Sequence, residues 1–151
     1  MPRGFLTSLF LMFGIGVAAF AALWAYTALR KTTPAQKIAA LKEEVEKSGG
    51  TVFETVLQGK PVSFLLKNCE VFLLDASGEE LKRNKVLKPG FYLGFTGCTS
   101  QSIDKVGEYV TVYLANQAIG AGGGNITGGN YRSLDGLVWE KKYDKGWSAP
   151  D

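Results

Sequence analysis

The chain has 151 residues, with 17 basic and 14 acidic side chains and no histidine. Three of the basic residues, Arg3, Arg30 and Lys31, flank a charge-free stretch near the N-terminus, so the rest carries 14 of each sign. Scattered, balanced charge argues against nucleic acid, which needs clustered cations to displace phosphate counterions.

The lack of histidine removes the commonest general base, the commonest zinc ligand and the usual partner of a nucleophilic Ser or Cys. No catalytic constellation, cofactor motif or metal-ligand pattern is legible. A non-enzymatic role is expected.

Phe5 to Leu29 is an apolar run without a charge. It holds about 25 residues where about 20 suffice to cross a bilayer. Signal-peptide cores are shorter, about 7–15 residues, and end at a small-residue cleavage site. The expectation is a retained single-pass helix, with residues 1–31 as anchor. Gly14, Ala18, Ala22 and Ala25 recur at spacings of four, four and three. That places small side chains along one helical face, where a second helix can approach closely. Expected partners are therefore membrane lipid and, through this seam, other membrane subunits or a second copy. Trp24 and Tyr26 stand near Arg30, as at a lipid boundary.

Residues 32–50 read as a linker and a short amphipathic helix. Thr33-Pro34-Ala35-Gln36 carries a cap, a proline at the first helical position and a capping-box glutamine. The helix is expected from Pro34 to about Lys47, with Ile38, Leu41 and Val45 as its apolar stripe, widened by Ala35. Glu43 and Lys47 are one turn apart in the favourable order. Ser48-Gly49-Gly50 is a stop signal.

Residues 51–143 read as a β-rich domain and 144–151 as a tail. Strands are expected over 51–58, 62–66, 69–74 and 91–96, with turns at Gly59-Lys60-Pro61 and Asp75-Ala76-Ser77-Gly78. Tyr109–Leu114 alternates, with Val110, Val112 and Leu114 on one face. Residues 121–130 hold five glycines and read as a flexible loop. Asp135-Gly136 suits a two-residue type I′ turn between strands 131–134 and 137–141. The expected class is α+β: an N-terminal transmembrane helix, a short amphipathic helix, then a mainly antiparallel sheet or small sandwich.

Cys69 and Cys98 are the only cysteines. In an exported domain they would form a disulfide, closing a loop of about 30 residues and adding roughly 3–4 kcal/mol. The anchor's flanks point the other way, since Arg30, Lys31, Lys37 and Lys42 follow it and the positive flank favours the cytoplasm. The cysteines and the Gly-, Ser- and Thr-rich body set the expectation of a periplasmic or extracellular domain.

Two resemblances accompany this reading. Ser133, Asp135, Gly136 and Trp139 resemble the Asp-box of sialidase-like propellers, which implies a folding role in a turn and no catalysis; this chain lacks one residue between Asp and Gly. The whole outline resembles type IV pilin-like subunits: Arg3-Gly4-Phe5 at a leader junction, a long apolar helix, then a β-rich head with one disulfide. Leu9 stands where that family carries a glutamate, and its Thr-Leu-Ile stretch after the Phe is missing. The functional expectation is a membrane accessory subunit whose β domain braces or covers a membrane-embedded complex, with a pilin-like or pseudopilin-like filament subunit as the alternative.

Overall fold

The computed structural model describes residues 32–90, 96–118 and 124–150. The apolar run and its seam of Gly14, Ala18, Ala22 and Ala25 lie outside them. Among the described residues no helix is long and apolar enough to cross a membrane.

Helix α1 spans Pro34–Glu46. Proline at its first position, then Ala, Gln, Lys, Leu and Glu, gives a segment of good helix formers. It ends where expected. The amides of Ser48 and Gly50 both bond to Val45 O, and Gly49 takes the left-handed φ of 73°. A side chain at Gly50 would also collide with Val45, so this exit needs glycine. Lys47 and Glu43 pair at 3.0 Å. Ile38, Leu41 and Val45 are buried, whereas Ala35 is exposed and the stripe is narrower than expected.

Four strands follow as a meander: β1 Thr51–Leu57, β2 Lys60–Lys67, β3 Glu70–Asp75 and β4 Lys82–Leu87. The β1–β2 turn is Gln58-Gly59 rather than Gly59-Lys60-Pro61. Both turn residues have positive φ, 50° and 76°, as a two-residue hairpin turn requires. Pro61 fits inside the strand because β3 pairs with β2 only from Phe64 onward, so no ladder donor is lost there. The charged stretch after Gly78 resolves into β4, exposed along most of its length.

Phe64, Leu65 and Leu66 are three consecutive buried residues in β2. Side chains alternate across a strand, so such a run requires cover on both faces. Leu65 points to α1, joining Val52, Leu74 and the helical stripe. Phe64 and Leu66 point the other way, to a second core shared with a five-stranded meander.

That meander comprises β5 Thr96–Val106, β6 Tyr109–Ala118, β7 Asn125–Ser133, β8 Glu140–Tyr143 and β9 Gly146–Ser148. Val110, Val112 and Leu114 are all buried against the first sheet, as their alternation implies. The architecture is thus a helix, a four-stranded sheet and a five-stranded sheet in layers.

Several segments depart from expectation. Residues 97–102 carry mostly small or polar side chains without apolar alternation, yet with 103–106 they form most of β5 along β6. The glycine-rich stretch is strand from Asn125 onward: Gly128 and Gly129 adopt φ of 120° and 125°, and a side chain at Gly128 would strike Leu114 O. The supposed tail contains β9. No two-residue hairpin exists at Asp135-Gly136, because pairing between β7 and β8 begins only at Arg132 and Glu140.

The two cysteines are bridged, with S–S 2.05 Å and Cα–Cα 5.5 Å. Cys69 sits in the two-residue β2–β3 turn with Asn68, at φ of 57° and 53°. A non-glycine residue there carries strain of order 1 kcal/mol, tolerated where surroundings over-determine it. Here the bridge and a 2.8 Å bond from Cys69 N to Gln101 Oε1 do so. Gln101 Nε2 also donates to Gly49 O at 3.1 Å, tying both sheets and the helix exit at this end. Replacing Cys69 and Cys98 together with Ser is expected to lower the unfolding free energy by roughly 3–4 kcal/mol, the loop-closure value. Urea denaturation of the full chain in detergent, against wild type, measures it.

Candidate functional site

Antiparallel meanders place their turns at two ends, and here those ends differ in chemistry. The clasp end holds the disulfide, Gln101 and the exit of α1. The opposite, turn end gathers the start of α1, the turns after β1, β3 and β5, and the loop between β7 and β8. Lys37 Nζ reaches Gly78 O at 2.5 Å, placing the start of α1 beside the β3–β4 turn. Lys105 Nζ reaches Val56 O at 2.9 Å, joining the tip of β5 to the end of β1.

Residues 134–139 form the loop of the turn end, and polar side chains organise it. Asp135 Oδ1 accepts the amides of Leu137 and Val138 at 2.8 and 2.9 Å. Ser133 Oγ accepts the amide of Gly136 at 2.8 Å and donates to Val138 O at 2.5 Å. These side chains take the amides that a tight hairpin would have paired across its strands, and the connection is longer for that reason.

Gly136, with φ of 79°, lies against the Phe64 ring so closely that a Cβ would collide with it. Trp139 turns inward and meets Phe64 edge to face, with centroids 6.3 Å apart. Its Nε1 is buried and has no hydrogen-bond partner among the described residues. Ser133, Asp135, Gly136 and Trp139, the residues of the Asp-box resemblance, thus organise this turn.

Leu134, Leu137 and Val138 point outward from that frame. Sequence reading placed them in strands flanking a tight turn. Nothing in their spacing distinguishes an exposed loop apolar from a strand residue.

Two depressions, each about 250 Å³, adjoin on the five-stranded sheet and share Thr127, Gly128 and Lys141. Lys141 Nζ lies 5.9 Å from the Tyr131 ring and 5.2 Å from that of Tyr143, within cation–π range. A lysine with aromatic neighbours offers binding chemistry, and no carboxylate lines either depression among the described residues. On the other face Arg132 stacks between Tyr109 and Trp147, 4.4 Å from each centroid, and pairs with Glu140 at 2.7 Å. This stack pins the short β9 to the sheet. Among the described residues no group of three His, Cys, Asp or Glu side chains is placed to hold a metal. Asp75 caps its own turn, its Oδ1 accepting from the Ser77 amide and hydroxyl at 2.9 and 2.6 Å.

Three carboxyls sit below their ordinary range. Asp135 is held down by the Val138 and Leu137 amides, and Asp75 by Ser77. Burial alone would raise Glu70, but Lys85 and Lys88 at 2.9 and 3.1 Å outweigh it. The Cys98 thiol is consumed by the bridge. Comparison with protein-family models, curated proteins and solved structures finds no match for this chain.

A carboxyl lowered in the folded state adds stability above its unfolded pKa and loses it as pH falls through the folded value. Asp135→Ala is expected to cost about 1–2 kcal/mol at neutral pH, after discounting for its partial exposure. That cost should shrink on acidification as the wild-type carboxylate itself takes up a proton. Urea midpoints of both proteins across an acid series measure the difference.

Proposed function

We propose that the protein is a single-pass membrane subunit whose β domain acts by contact rather than by catalysis, bracing or covering a membrane-embedded complex. The observation that carries this reading is the uncharged run Phe5–Leu29 set directly before a disulfide-closed domain. The anchor's length fits a bilayer. Its seam of Gly14, Ala18, Ala22 and Ala25 fits a neighbouring helix.

The bridge supports a periplasmic or extracellular position for the domain, since structural disulfides persist in oxidising compartments. It outweighs the basic flank at Arg30 and Lys31, because a bridge that joins the two sheets, with Cys69 buried, is part of the fold. A chain without histidine, whose depressions hold a lysine and tyrosines but no carboxylate among the described residues, suits recognition better than acid–base chemistry.

Replacing Gly14 and Ala18 together with Leu should leave membrane insertion intact and reduce recovery of co-purifying membrane proteins in mild detergent several-fold. Quantitative mass spectrometry of tagged wild type and variant reads this. Equal recovery would remove the helix-packing role.

A further inference from the structure

We propose that the turn end of the β domain rests on the lipid surface, with Leu134, Leu137 and Val138 entering the headgroup region. The inference depends on the anchor reading above, and adds to it an orientation and a lipid-contacting loop.

Exposed single apolar residues are ordinary. Their distribution here is not. Among the described residues the exposed large hydrophobics are Val56 (49 %), Val106 (61 %), Leu134 (38 %), Leu137 (59 %), Val138 (71 %) and Tyr113 (37 %). All but Tyr113 lie at the turn end. They come from three separate segments, the end of β1, the tip of β5 and the 134–139 loop. The two most exposed residues of that loop, Leu137 and Val138, are held by hydrogen bonds from their backbone amides to the Asp135 carboxylate. Presenting them to lipid costs little further ordering, as for any preorganised binding loop.

Chain length decides which partner meets this end. Leu29, the last residue of the apolar run, precedes Pro34 by five positions. Five residues span at most about 18 Å even when fully extended. Pro34 begins α1, and the contact of Lys37 with Gly78 puts that start at the turn end. The lipid surface is therefore tethered within reach of the side that carries the apolar tips. A tethered surface needs little affinity to be occupied, because the short connection sets a high effective concentration. Side chains seated about 5–10 Å into the headgroup boundary suffice for such contact.

The test uses the full chain in nanodiscs of phosphatidylcholine and phosphatidylglycerol, one copy per disc, with the native disulfide intact. An environment-sensitive fluorophore is attached at Val138→Cys, and in a second sample at Lys47→Cys, beyond the far end of α1. The label at 138 should be quenched by lipids bearing a nitroxide near the headgroup. Its quenching by aqueous iodide should be several-fold weaker than that of the label at 47.

Equal iodide quenching at both positions, in chains that remain in the disc, would overturn the proposal and leave the anchor standing. Protection from iodide without nitroxide quenching would mean burial against protein, and would also overturn it. A chain that fails to enter discs at all would remove the anchor reading and this inference together.

Discussion

Strand β2 sets the architecture. Three successive apolar side chains, Phe64, Leu65 and Leu66, cannot all be buried by one neighbour, because alternation sends the middle one to the opposite face. The four-stranded sheet must therefore be covered twice. Helix α1 covers the Leu65 side through Ile38, Leu41 and Val45, and the five-stranded sheet covers the other through Val110, Val112 and Leu114. Burying each such side chain is worth about 1.5–3 kcal/mol. The two cores thus depend on a single strand, and the helix belongs to the domain rather than to a free stalk.

The ends of this layered body are fastened by different chemistry. At the clasp end a covalent bridge, the hydrogen bond from the Cys69 amide to Gln101 Oε1 and the left-handed Asn68-Cys69 turn lock the sheets together. At the turn end the fastening is the inward pair Gly136 and Trp139 against Phe64, stabilised by Asp135 and Ser133. The same loop that seals the core with Trp139 displays Leu137 and Val138 outside it. Core closure and surface presentation are therefore coupled through one carboxylate.

Much of this was legible in the chain. The spacing of Ile38, Leu41 and Val45 marks α1, and the glycines after Ser48 mark its end. The alternation of Val110, Val112 and Leu114 marks β6 and its buried face. The cysteine pair marks the bridge. What was not legible has common causes. The first part of strand β5, Thr96 to Ser102, is written in Gly, Cys, Thr, Ser and Gln, whose partners come from β6 and not from their own periodicity. Strand β7 uses Gly128 and Gly129 because Leu114 O leaves no room for a side chain, and glycine in sequence reads as a loop. The Asp135-Gly136 pair reads as a tight turn, while the competing claims of Asp135 and Ser133 on backbone amides lengthen it. The exposed apolar residues of the turn end were invisible for a further reason: Val56, Val106 and Leu137 are far apart in the chain and come to the same end only through the fold.

The account stands on two linked properties, retention in a bilayer and an oxidised Cys69–Cys98 pair on its outer side. Carbonate washing of native membranes followed by thiol alkylation under denaturing conditions, with and without prior reduction, tests both in one experiment. The account predicts a chain that stays in the washed pellet and accepts two alkyl groups only after reduction. A chain released into the wash, or one alkylated at both cysteines without reductant, would contradict it.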